Sequence, residues 1–420
     1  MNKIYNKKYD EISYYEKLDN GLKVYINHKV NFKTTSCAIG VKFGSLDIMQ
    51  EVNGKHYQYS SGIAHFLEHK MFEDEEDIML KFNNMGVEVN AFTSYDITNY
   101  YFTVNNNNIK EPLNLLLDFV QTLNITEQSV ESEKDIITQE LLMYENKSDA
   151  RLLFETFKAM YNNHPIKYDI GGSCESIKKI TKEELELCFD INYHPSNMIL
   201  VITTPIDPKI VIDIVKTNQK SKNFDKPYLI NRIIKEDIKE VNTKYKEVVM
   251  DVSKSKVMIG IKLDEKEEDV LIRTKKEWAI QIALEMAFSS INKKYQKWID
   301  EKIITEYFSY EVDFSNNCSH ILFDNEIEDE NKFVNMIFNE LKNINCDSLE
   351  QLKKRYYGIA FRVFDQAEAI TMNNVRYILN DLDYYKVVEQ IMEIEEDYIK
   401  DLFKNFDFSN YTIVKIIKKD

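Results

Sequence analysis

The apolar positions of the chain change period several times, and each change marks an element. Gly21–His28 (GLKVYINH) and Thr34–Phe43 (TTSCAIGVKF) read as two strands. Ser60–Phe72 switches to helical spacing, with Ser60 or Ser61 as the expected N-cap. Val87–Phe92 and Tyr100–Val104 read as further strands. Pro112–Leu123, Glu127–Tyr144 and Ala150–Tyr161 read as helices. Thr126 and Thr181, each followed by acidic residues, have the form of capping-box helix starts. Asn197–Thr203 (NMILVIT) is a short apolar strand, and Pro208–Lys216 a helix.

From 216 to 245 the chain turns polar and lysine-rich and loses its apolar period, as an inter-domain linker does. Beyond it the pattern repeats. Lys256–Leu263 (KVMIGIKL) echoes Cys37–Phe43 (CAIGVKF), a helix follows each, and each half closes on a short strand, NMILVIT in the first and Tyr411–Ile417 (YTIVKII) in the second. The expected organisation is a domain over 1–215, a linker over 216–245 and a related domain over 246–420.

Length and composition narrow the classes. With 420 residues, two domains or more are expected. With 26 Tyr and 23 Phe there is ample material for a core. A net charge of −16 argues against nucleic acid and anionic membranes as partners. The chain has no stretch of about 18 apolar residues, and its first residues lack the apolar core of a secretory signal. Five scattered Cys, none in C-x-x-C, suit buried thiols in a cytoplasmic protein rather than a disulfide framework. Neither G-x-G-x-x-G nor a phosphate-binding loop occurs.

The chemistry concentrates at His65-Phe-Leu-Glu68-His69. On a helix, residues i and i+4 share a face, so both imidazoles can reach one ion. Glu68 lies beside that ion, placed to take a proton from water. Ile63, Phe66, Leu67 and Met71 can face the core and hold the helix still. Such a zinc site needs a third protein ligand and an open position. The helix from 127 offers Glu131, Glu133, Asp135, Glu140 and Glu145, of which Glu133 and Glu140, seven apart, share a face. Ile136, Ile137, Leu141 and Met143 flank them, so part of this helix is expected to be buried.

At these residues the chain resembles the pitrilysin/insulinase family of zinc peptidases, the inverzincins, in a two-domain form similar to mitochondrial processing peptidase subunits. H-x-x-E-H is that family's signature. Asn90-Ala91-Phe92-Thr93 resembles its N-A-x-T edge strand, and Glu133…Glu140 its E-x(6)-E helix. His164-Pro, Asp169-Ile-Gly-Gly-Ser and Tyr193-His-Pro-Ser-Asn-Met follow in the family's order. The likeness covers most of residues 15–215.

The resemblance implies that His65, His69 and Glu140 bind one Zn2+, that Glu68 is general base and then acid, and that Glu133 orients a ligand. It places Asn90 and Ala91 on a strand that pairs with the substrate backbone. It implies an α+β fold of two homologous domains, each an antiparallel-rich sheet packed with helices, together forming half of a clam-shell. His164 and His194 read as packing residues. Ile282-Ala-Leu-Glu285-Met286 falls where the histidine motif sits in the first half, with both ligands replaced by apolar residues, so the second domain is expected to be non-catalytic.

One feature departs from the family. Active members carry an Arg seven residues before a substrate-binding Tyr. Tyr310 matches the Tyr, but no Arg stands seven residues before it. The expected activity is zinc-dependent endoproteolysis of short unstructured peptides or leader sequences. The chain would work as a homodimer, or as a heterodimer with a family subunit that supplies the Arg/Tyr pair. The alternative is a non-catalytic or partner-dependent subunit of such a heterodimer.

Overall fold

The computed structural model describes residues 1–73, 77–105, 108–264, 269–315 and 318–419. Contacts divide the chain into two compact units, each assembled from three segments. Unit 1 comprises Met1–Leu141, Asp169–Ile233 and Phe361–Tyr384; unit 2 comprises Leu142–Tyr168, Ile234–Ala360 and Tyr385–Asp420.

Unit 1 is built on a seven-stranded sheet of β1 (Asn2–Asn6), β2 (Glu11–Lys17), β3 (Lys23–His28), β4 (Thr35–Val41), β5 (Glu88–Thr93), β6 (Thr98–Val104) and β7 (Met198–Thr204). Their order is β1-β2-β3-β7-β4-β6-β5. Only the β3–β7 pair is parallel. Every residue of β4 and β7 is buried. Both strands are therefore covered on two faces, which explains their uninterrupted apolar runs.

Unit 2 holds a five-stranded sheet of β8 (Tyr245–Met250), β9 (Lys256–Leu263), β10 (Ser309–Ser315), β11 (Cys318–Glu326) and β12 (Tyr411–Lys418), ordered β8-β12-β9-β11-β10. Its first and last strands again pair in parallel, and the other pairs are antiparallel. Strand for strand this is the connectivity of β3, β4, β5, β6 and β7. The repeat suggested by two short apolar segments is thus a repeat of topology.

The helices cross over between the repeats. The two used here are α3 (Ser148–Met160) and α6 (Ala367–Leu379). α3 comes from the first half of the chain and packs on the sheet of unit 2; α6 comes from the second half and packs on the sheet of unit 1. A glycine in the second strand of each repeat makes room for the helix. A Cβ on Gly40 would stand 2.5 Å from Val375 Cγ1 and 2.8 Å from Leu379 Cδ1. A Cβ on Gly260 would collide with Met160 Sδ and Thr156 Cγ2. The Val375–Leu379 side of the unit 1 sheet forms its own cluster with Ala38, Ile199 and Val201, while the larger core lies on the opposite face.

The lysine-rich stretch read as a linker is more ordered than its composition suggests. The helix from Pro208 runs to Lys220, and Ile230–Arg232 pairs with the strand at Met49–Val52 in unit 1. In unit 2, Asp237 accepts from the backbone N–H of Asn162 (3.0 Å) and of His164 (3.3 Å), and its carboxylate pairs with the buried Lys262 ammonium. Polar composition hides these contacts because they are made by backbone and charge rather than by an apolar face.

Candidate metal centre

Four further helices carry the site in unit 1 and its counterpart in unit 2: α1 (Ile63–Met71) and α2 (Glu127–Glu145) for the first, α4 (Val270–Phe288) and α5 (Leu349–Arg362) for the second. On α1, Ile63, Phe66, Leu67 and Met71 are buried, as the spacing requires, leaving His65, Glu68 and His69 on the other face. The expected serine cap is replaced by Gly62. Its φ is +89, and it packs against the backbone of Gly171, where a Cβ would strike the Gly171 carbonyl. A positive φ at a close backbone approach favours glycine. Ser60 instead donates its backbone N–H to Glu184 at 2.7 Å. On α2, Val130, Ile137 and Leu141 are buried, whereas Ile136 and Met143 are exposed. The core-facing stripe is therefore narrower than the sequence suggested, and Glu133 and Glu140 sit at its margin.

One ligand atom from each of His65, His69 and Glu140 lies within 4.8 Å of the other two. Glu140 Oε2 is 3.9 Å from His65 Nε2 and 3.6 Å from His69 Nε2. These separations are too long for hydrogen bonds. They are close to the edge of about 3.3–3.6 Å expected for a tetrahedron of N and O ligands around zinc at about 2.0–2.2 Å. Two imidazoles and a carboxylate are also a donor set that zinc accepts. The residues therefore fit the ion.

The groups around the ligands are specific. His69 Nδ1 lies 2.9 Å from Glu133 Oε1. Nδ1–H donating to that carboxylate leaves Nε2 free to bind metal. Thr93, on the edge strand β5, donates its hydroxyl to Glu68 Oε2 at 2.6 Å. Burial pushes Glu68 above the usual carboxylate range, although the Thr93 hydrogen bond and His69 oppose this. Burial, with the neighbouring His69, draws His65 down to about 4, so His65 is neutral and ready to ligate at neutral pH. Burial also disfavours charge on His69, but Glu133, Glu68 and Glu140 together outweigh it and raise that group. Glu133 is lowered: burial works against its charge, and His69 and Lys70 more than compensate.

Among the sequence-derived candidates, His65, Glu68, His69, Glu133 and Glu140 converge. Asn90 and Ala91 lie on β5, the last strand of the sheet, where the Asn90 side chain accepts from the Ala91 backbone N–H at 2.8 Å. His164 is fully buried and accepts from the Ile166 N–H, and His194 bonds to Ser196 and to the Asp225 carbonyl, so both serve local structure.

Tyr310 lies in unit 2, on β10, the strand topologically equivalent to β5. Its hydroxyl donates to Glu285 on α4 at 3.1 Å. Arg355 Nη1 and the Tyr356 hydroxyl, both on α5, donate to the same carboxylate at 2.6 and 3.1 Å. Glu285 keeps the place of Glu68 in the repeat, and Ile282 and Met286, both buried, stand where the histidines would be. The positive charge beside this second carboxylate is a guanidinium. An arginine does share the carboxylate that Tyr310 bonds, but it comes from residue 355 rather than from seven residues before the tyrosine.

Two residues near the metal centre were passed over in the sequence. Thr93 lay within the edge-strand motif without a role. Lys70 falls on the buried side of α1 with Ile63 and Leu67, and a charge in an apolar stripe is itself a signal.

Residues 23–173 match the family model described as insulinase (peptidase family M16), and residues 179–355 the model described as the peptidase M16 inactive domain. A protein of Bacillus subtilis (strain 168) described as the uncharacterized zinc protease YmfH is 32% identical over 418 residues, covering 97% of each chain. The probable mitochondrial-processing peptidase subunit beta of Arabidopsis thaliana is 28% identical over 208 residues, which is 47% of this chain and 37% of that protein. Among solved structures, an M16-like peptidase from Alicyclobacillus acidocaldarius superposes with a TM-score of 0.91 at 29% identity, over 97% of this chain and 99% of that one. A protease from Helicobacter pylori shares the fold at a TM-score of 0.83 with 19% identity, over 96% and 99% of the two chains. The chain therefore belongs to the insulinase family of peptidases, family M16.

Proposed function

We propose that this chain is a zinc metalloendopeptidase that cleaves short unstructured peptides or leader sequences. The observation that carries the reading is the convergence of His65, His69 and Glu140 with a half-buried, hydrogen-bonded Glu68 beside them. His65, His69 and Glu140 would hold one zinc ion per chain. When bound, that ion supplies the Lewis acidity that makes water a nucleophile near neutral pH. Glu68 takes the proton of the attacking water and delivers it to the leaving nitrogen. Its raised proton affinity suits a group that must both accept and give a proton. Thr93 holds the carboxylate in place, and Glu133 fixes the tautomer of His69. Asn90 and Ala91 would pair with the substrate backbone along the open side of β5, which gives affinity with little side-chain preference.

In this reading unit 1 is catalytic and unit 2 is not, and the protein works in the cytoplasm. A second reading is a subunit that needs a partner of the same family. Two observations favour it: Tyr310 and Arg355 are both spent on Glu285, and no Arg stands seven residues before Tyr310. The test is cleavage of a mixed unstructured-peptide library by the purified chain, read by mass spectrometry, with Glu68→Gln as control. Cuts that vanish in the variant support a self-sufficient peptidase. No cuts from a chain that holds one zinc support the partner-dependent reading. A chain that binds no zinc refutes the metallopeptidase reading.

A further inference from the structure

We propose that Lys70 is a positioning residue of the metal centre, holding Glu133 in the orientation that aligns His69. The inference rests on the zinc-site reading above. Lys70 follows His69 on α1, and only 3% of its side chain is exposed. Its ammonium lies 3.3 Å from the Ser129 carbonyl and 3.5 Å from Glu133 Oε2, and it also pairs with Glu73 at the rim. Glu133 Oε1 meanwhile receives His69 Nδ1 at 2.9 Å. The Glu133 carboxylate is therefore stretched between an imidazole and a buried ammonium, one oxygen to each. That arrangement sets its rotation, and its rotation sets the tautomer and tilt of the ligand.

The other ligand has no such support. His65 Nδ1 is buried without a hydrogen-bond partner among the described residues. Alignment of the pair thus rests on the His69 side. Charge points the same way. Glu68, Glu133 and Glu140 are three carboxylates grouped around a site for a divalent ion, and Lys70 supplies a third positive charge. A largely desolvated carboxylate such as Glu133, with 16% of its side chain exposed, needs a partner for its second oxygen, and Lys70 is that partner.

The competing role for Lys70 is a local ion pair with Glu73, whose side chain is 31% exposed. Zinc affinity separates the two. Zinc-free full-length chain is titrated with zinc against a chromophoric chelator, for wild type, Lys70→Met, Glu133→Gln, the double variant and Glu73→Gln. Methionine fills similar volume without the charge. Lys70→Met and Glu133→Gln are each expected to weaken zinc binding by about tenfold or more. The double variant is expected to be no weaker than Glu133→Gln, since Lys70 acts through Glu133. Glu73→Gln is expected to bind as wild type does. Wild-type affinity in Lys70→Met, additive losses in the double variant, or an equal loss in Glu73→Gln would each overturn the proposal. If the methionine variant does not fold, as judged by circular dichroism, Lys70→Gln is put through the same comparison. A wild-type chain with no zinc affinity would refute the metal-centre reading itself and this inference with it.

Discussion

Replacing Glu68 by Gln isolates proton transfer from the rest of the site. The amide has the shape of the carboxylate, and its oxygen can still accept the Thr93 hydroxyl, now 2.6 Å from Oε2. The variant loses the ability to take a proton. General base catalysis contributes about 10²–10⁴ in rate, or about 3–5 kcal/mol of barrier. Turnover of a cleaved peptide should fall by that factor, in kcat rather than in KM. Stability should not fall with it. Burial makes the charged form of Glu68 costly in the folded chain, so a neutral amide is expected to leave Tm unchanged or raise it. Zinc binding should be retained, because Glu68 is not among the three converging ligands. The assay is steady-state cleavage of one defined peptide, with zinc content and Tm measured on the same preparation. Activity within about tenfold of wild type would refute the base assignment. Loss of activity together with loss of zinc would show that Glu68 acts on the ion's binding instead.

Three further outcomes are expected. In zinc-free protein, His65 sits at about 4 when folded and near 6.5 when unfolded, so the unfolded state binds more protons between those values. Acid should therefore remove up to about 3 kcal/mol of stability as pH falls through that window. The raised His69 acts in the opposite sense, with stability lost as pH rises through its folded value. Denaturant melts of wild type and His65→Gln against pH would check this, and an unchanged slope in the variant would defeat it. Asp237→Asn should cost about 3 kcal/mol by leaving the buried Lys262 ammonium unpaired, seen as a lower denaturation midpoint. Gly40→Val should cost about 1–3 kcal/mol by forcing Val375 and Leu379 away from the sheet, measured the same way; a neutral result would mean that α6 does not pack there as described.

Much of the site could be read in the chain because its chemistry is local. His65, Glu68 and His69 lie within one helical turn and a half, and helical geometry alone puts them on one face. Glu133 and Glu140 share a helix by the same rule. The strands at Cys37–Phe43, Lys256–Leu263, Asn197–Thr203 and Tyr411–Ile417 were legible as apolar runs, because strands largely buried on both faces, the first three most completely, have little polar side to interrupt them. Choosing Glu140 among the five acidic candidates of its helix took the family likeness, since spacing could not separate it from Glu133.

What the tertiary structure decided is non-local. Which helix covers which sheet depends on glycines at 40 and 260 meeting side chains a hundred or more positions away, and no local period encodes that. Three donors converge on Glu285 from residues 310, 355 and 356, so the arginine near Tyr310 could not be found by counting back along the chain. Asp237 and Ile230–Arg232 gained structure from backbone partners far away in sequence, while their own composition read as solvated. Lys70 is the clearest case. By composition it is one lysine among many, and only its burial against Glu133 and Ser129 shows that its charge is used inside the protein.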